Sequence, residues 1–187
     1  GLQNITKQPI RAMKNYEDIL AISETDASLM SKIEFRILDI AIATKDLSVI
    51  EAQWQRVAKL SSGINVPGLE TRVLTTQNMA WTEVESRPTP GSVERFVRLH
   101  DFFVPAVAVY GQNEQWSLRA IDGLWRVKHV NDVATRGDDL AAKSKNLITQ
   151  TSALRFSARA RETMLGISVE PAFIRGKHLA AGTEISS

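Results

Sequence analysis

"SVERFVRLHDFFVPAVAVYG", residues 92–111, decides how the rest of the chain is read. It opens on Ser92, a residue type whose hydroxyl suits the free N–H groups of a first helical turn. Arg95 and Arg98 follow one turn apart, and the segment then becomes almost wholly apolar, with Pro105 in its middle. Such a segment asks to be buried, and guanidinium groups at its mouth then need anions. The anion is either a carboxylate elsewhere in the chain or a phosphate from outside.

Outward from this stretch the chain reads as helices. Asp26 is placed to cap residues 27–44, where apolar side chains at 30, 33, 37, 40 and 41 recur with helical period. Asp46 is placed to cap residues 47–60, with Ile50, Trp54, Val57 and Leu60 on one stripe. "SSGINVPG", residues 61–68, breaks the chain. In residues 70–85 the threonines and valines suit either element, but Val73, Leu74, Gln77 and Trp81 are spaced as a helix. "SRPTPGS" (86–92) is a further break, and "QNEQ" (112–115) separates the opening stretch from an apolar segment at 116–130. A last long helix is expected over 137–166, with Asp138 and Asp139 at its positive end and Gly166 as its stop.

Residues 1–25 mix helical and extended signals and read as an N-terminal arm. Residues 167–187, with Pro171, Gly176 and Gly182, read as an extended tail. No hairpin signal appears. The expectation is therefore an all-α chain: a single helical core of five to seven helices over 26–166, with extended arms at both ends.

The 187 residues are 43% hydrophobic and 24% charged, which argues against wholesale disorder and suits a real core. A formal charge of +2 is too small to announce a nucleic-acid binder, so any such role must rest on local clustering. The absence of cysteine removes disulfide and thiolate chemistry and fits a reducing compartment. The apolar run at 102–111 is near half the length needed to span a bilayer, and no secretory signal is visible, so no membrane partner is expected.

Enzyme signatures are lacking. His100, His129 and His178 are scattered without metal-ligand spacing, and no nucleophile stands beside a base. Asp138 and Asp139 read more simply as first-turn helix residues than as metal carboxylates. No catalysis, cofactor or metal is expected. The basic residues say more: residues 141–161 hold five Lys/Arg and no acid, and Arg155 and Arg159, four apart, share a helix face. Such a run is either a solvated face or a surface that tracks phosphates. Phe156 among these arginines suits base stacking or a core position.

For Arg95 and Arg98 the sequence offers Asp122, in "LRAIDGLWRV" (118–127), set among Leu118, Ile121, Leu124 and Trp125. An acid in an apolar stripe is costly unless paired, so an Arg–Asp pair between helices is expected. A guanidinium held by one carboxylate keeps donors for a phosphate, and Ser61 or Ser62 of "KLSSG" can add a hydroxyl.

Taken in order, "KLSSGINVPG" (59–68), "VERFVRLHDFFVPAVAVY" (93–110), "SLRAIDGLWRV" (117–127) and "DDLAAKSKNLITQTSALR" (138–155) form a familiar series. It resembles the core of the coat proteins of flexible filamentous plant RNA viruses (potyvirus, potexvirus and closterovirus types), over residues 46–165. The resemblance implies a groove for genomic RNA lined by Ser61 or Ser62, by Arg95 or Arg98, and by Asp122; the basic face adds Arg155 and Arg159 as secondary contacts. It implies a coat subunit that polymerises helically around single-stranded RNA, without sequence specificity, through terminal arms that dock on identical subunits. Such a subunit belongs to the virion, and to the host cytoplasm during assembly. "RPTPGSVERF" (87–96) with "DF" (101–102), and "ATRGDDLAAKSKNLI" (134–148), are similar to rod-shaped virus coat proteins, which do the same job. Contacts that repeat without closing fit such an assembly. The same apolar stripes also suit a second class, a bacterial all-α interaction or sensor module (a helical-bundle receptor or secretion-apparatus domain) that binds no nucleic acid.

Overall fold

The computed structural model describes residues 2–22, 27–60, 68–106 and 114–166, and among them there are eight helices and no strand. The all-α expectation holds, with one helix more than its upper count. Two compact units divide the chain, Gly1–Asn113 and Glu114–Ser187, where a single core was expected.

The first unit holds α1 (Leu2–Ile22), α2 (Ala27–Thr44), α3 (Leu47–Leu60), α4 (Leu69–Ser86) and α5 (Pro90–Ala106). The segment read as an extended arm is therefore mostly helix. Met13, Tyr16 and Leu20 recur at helical spacing and pack α1 against Ile33 and Ile37 of α2, which gives that segment an apolar face to bury. Between α2 and α3 the chain turns in two residues: Lys45 is left-handed (φ 59°), and Asp46 caps α3, its Oδ1 accepting from Ser48 N at 2.9 Å. That cap was legible in the sequence; Asp26 lies outside the described residues.

The cap of α5 is Thr89 rather than Ser92. Ser92 N donates to Thr89 Oγ1 (3.2 Å) and Thr89 N donates to Ser92 Oγ (3.0 Å), a reciprocal arrangement that satisfies two orphan donors. Pro90, which has no N–H to lose, then starts the helix. The core of this unit is aromatic. Trp54 of α3 meets Phe103 of α5 edge-on with centroids 4.7 Å apart, and Trp81 of α4 meets Phe96 of α5 at 5.1 Å. Phe96 and Phe103 are fully buried, each worth about 2–3 kcal/mol. Trp54 also donates its indole N–H to Thr76 Oγ1 at 3.0 Å, fixing α3 to α4.

The second unit holds α6 (Glu114–Arg126), α7 (Val130–Lys143) and α8 (Leu147–Met164). The single long helix expected over 137–166 is two helices. Asn146 interrupts it by capping α8, its Oδ1 accepting from Ile148 N at 2.9 Å and Thr149 N at 3.4 Å. Consequently Asp138 and Asp139 sit inside α7 rather than in a first turn. Small residues let α7 and α8 approach closely, Gly137 against Ala153 and Ser157. The predicted stop stands: Gly166 follows α8 with φ 66°, and its N–H donates to Thr163 O. The tail at 167–187 lies outside the described residues.

Candidate nucleic-acid interface

In the first unit four arginines, Arg56, Arg72, Arg95 and Arg98, reach across helices to carboxylates. Arg56 of α3 donates to Glu34 of α2 (3.0 Å) and Glu17 of α1 (3.1 Å). Arg72 of α4 grips Asp39 of α2 through both Nε and Nη2, and that hydrogen-bonded pair raises the Arg72 pKa. Gln53 adds hydrogen bonds to the backbone and carboxylate of the buried Glu34.

Arg95 belongs to this lattice. Its Nη1 donates to both oxygens of Glu83 (2.9 and 3.2 Å), and its Nε lies 3.8 Å from Glu51 without a hydrogen bond. The guanidinium is half-buried, with the Arg95 side chain 27% exposed, and the acids beside it are Glu83 and Glu51. Glu83 faces Arg95 across the α4–α5 connection. In the second unit Asp122 accepts from Arg126, one turn along α6, at 2.7 and 2.9 Å, since a residue four positions away on the same helix is within reach. Arg98 is exposed and clasps Glu51 through Nε (2.9 Å) and Nη2 (3.3 Å), which raises its pKa.

Arg95 also lines an open cleft of about 900 Å³, with Lys45, Asp46, Ser48, Asn78 and Glu83 among its walls. The hydroxyls in it are those of Thr44, Ser48, Thr75 and Thr82, which the sequence reading missed. The signal available was the Thr44–Lys45–Asp46 turn, visible as a cap but not as a wall. Ser61 and Ser62 lie outside the described residues. The cleft's two cations, Lys45 and Arg95, are balanced by two acids, Asp46 and Glu83, so it offers no net attraction to a polyanion.

The second unit differs. On α8, Arg155 and Arg159 are exposed and four apart, and neither forms an ion pair among the described residues. Lys143 and Lys145, at the α7–α8 turn, are exposed and equally unpaired there. Arg161 is the exception, bound to Asp138 of α7 and, at 3.0 Å, to Ser157 Oγ. Ser157 in turn donates to Asp138 at 2.6 Å, and these two contacts hold the Asp138 carboxyl below the usual carboxylate range, Ser157 first. Phe156 is half-buried, on the flank of α8 nearer Ala153 and Ala160. Among the described residues Arg155 and Arg159 form no ion pair, and Glu162 stands three residues from Arg159 on the same helix; exposed guanidinium groups of this kind suit phosphates without regard to base sequence.

Among the described residues no group of three or more His, Cys, Asp and Glu side chains is placed to hold a metal ion, and no helix is long and apolar enough to cross a membrane. Comparison with protein-family models, with curated proteins and with solved structures finds no match to this chain.

Proposed function

We propose that this chain is a non-enzymatic subunit that packages single-stranded RNA, a viral coat protein of the helical kind that the sequence resemblance implies. In this reading it grips the phosphate backbone without sequence preference, and the main contact is α8 rather than the Arg95 groove. The observation that carries it is the pair Arg155 and Arg159 on α8. The guanidinium groups of Arg56, Arg72, Arg95 and Arg98 are spent on carboxylates, whereas Arg155 and Arg159 are exposed, one turn apart, and form no ion pair among the described residues. Each unpaired cation that meets a phosphate releases condensed counterions, and this supplies affinity without base readout. The test is binding of a labelled oligo(U) to the full chain at low salt. Arg155→Gln with Arg159→Gln weakens it at least tenfold, and Arg98→Gln leaves it unchanged.

A second reading, the all-α interaction module that binds no nucleic acid, draws support from the same lattice of paired arginines. It predicts no binding of oligo(U) by the wild-type chain, so the same titration separates the two.

A further inference from the structure

We propose that the cleft beside Arg95 in the first unit is a binding site for a small hydroxylated monocarboxylate, the chemistry of a sugar acid, whether or not the chain binds RNA. At about 900 Å³ the cleft lies within the range of ligand pockets. Its walls are the α2–α3 turn, the first turn of α3, one face of α4, and Arg95 of α5. Thr75, Asn78, Met79 and Thr82 recur at three and four residues and so share that face of α4, while Thr76, Gln77 and Ala80 turn to the core.

What the cleft can hold follows from which of its groups are already engaged. Both acids are: Asp46 accepts from Ser48 N and Val49 N as the cap of α3, and Glu83 accepts Arg95 Nη1 on both oxygens. Two hydroxyls are spent on backbone, Thr44 donating to Ala41 O (2.6 Å) and Thr82 to Asn78 O (2.8 Å). The other polar groups make no hydrogen bond among the described residues: the Lys45 ammonium, Nη2 of Arg95, the Ser48 and Thr75 hydroxyls and the Asn78 amide. An ammonium and a guanidinium N–H suit one carboxylate, and two hydroxyls with an amide suit the hydroxyls of a sugar. With its formal charges balanced, the cleft selects by directed hydrogen bonds rather than by its field. A phosphate dianion sets its second charge against Asp46 and Glu83. A neutral sugar leaves both cationic donors unused, and the ammonium of a zwitterion must displace donors that the acids already hold. One carboxylate among hydroxyls engages every open group.

The experiment is isothermal titration calorimetry of the full chain with lactobionate, a disaccharide monocarboxylate, beside lactose and inorganic phosphate. Lactobionate is expected to bind with one site per chain, and lactose about tenfold more weakly or worse, for want of the charge-assisted bonds. Lys45→Gly is the clean variant: Lys45 is exposed and left-handed (φ 59°), where glycine sits without strain, so the ammonium goes and the fold stays. It is expected to weaken lactobionate about tenfold with no fall in melting temperature. Arg95→Gln is expected to weaken it at least as much, and Arg155→Gln with Arg159→Gln, in the other unit, to leave it unchanged. No binding of lactobionate at millimolar concentration overturns the proposal, as does Lys45→Gly binding like wild type. Lactose binding as tightly as lactobionate makes the cleft a neutral-sugar site, and equal competition by phosphate makes it an unselective anion site; either result also overturns it. If the α8 variant loses as much lactobionate affinity as Lys45→Gly, the carboxylate is held by cationic surface in general and the proposal fails.

Discussion

Gly137 of α7 and Ala153 of α8 meet so closely that a Cβ on the glycine would stand 2.8 Å from the Ala153 carbonyl oxygen. The same Cβ would lie 3.0 Å from Ser157 Cβ, so backbone rather than a flexible side chain must give way. Alanine in a helix interior is ordinarily worth about 1 kcal/mol over glycine. Here overpacking, of about 1–3 kcal/mol, outweighs it. Gly137→Ala is expected to lower the melting temperature, and Gly137→Val to lower it further, in thermal unfolding followed by circular dichroism.

Gln77 is fully buried in α4, and neither its Oε1 nor its Nε2 has a hydrogen-bond partner. A buried unpartnered amide costs about 1–3 kcal/mol. Methionine has nearly the same shape and asks for no partner. Gln77→Met is expected to stabilise the chain by about 1 kcal/mol in urea unfolding, with the m-value unchanged.

The indole of Trp54 and the hydroxyl of Thr76 form a buried bond at 3.0 Å that joins α3 to α4. Trp54→Phe keeps most of the packing on Phe103 but strands the fully buried Thr76, at a cost of about 1–3 kcal/mol. Thr76→Val strands the indole instead. The double variant is expected to lose less than the sum of the two, with a coupling of about 1 kcal/mol by a double-mutant cycle.

Asp138 gives the acid response its sign. Its carboxyl, hydrogen-bonded by Ser157 and paired with Arg161, has a folded pKa below its unfolded one. Such a group adds stability above the ordinary aspartate range and loses it as pH falls through the depressed folded value. Between pH 5 and pH 3 the wild-type melting temperature is expected to fall more steeply than that of Asp138→Asn, which starts lower and has no such carboxylate to protonate.

Much of the fold was legible because it rests on local rules. Asp46 capped α3 as its position suggested, the stripe of Val73, Gln77 and Trp81 marked α4 despite its threonines, and Gly166 ended α8. What misled were features that local signals share between outcomes. Asn146 is unremarkable in composition yet splits one periodic run into two helices by accepting two backbone N–H groups. Met13, Tyr16 and Leu20 hid an α-helix in a segment that also carries Pro9 and extended signals. The choice of acid for Arg95 was beyond sequence spacing, since Glu51, Glu83 and Asp122 are all plausible until α3, α4 and α5 are packed. Arg155 and Arg159 were readable from the acid-free run at 141–161, but only the structure separates them from Arg161, which Asp138 holds.

The salt dependence of oligo(U) binding tests the central claim most directly. Fluorescence anisotropy gives the slope of log K against log[salt] for wild type, for Arg155→Gln with Arg159→Gln, and for Arg95→Gln. Removing two phosphate contacts on α8 is expected to make the slope shallower by about 1.4, at ~0.7 per contact with single strands. Arg95→Gln, whose guanidinium already faces Glu83 and Glu51, is expected to leave the slope unchanged. A slope that falls with Arg95→Gln and holds with the α8 variant would contradict the account.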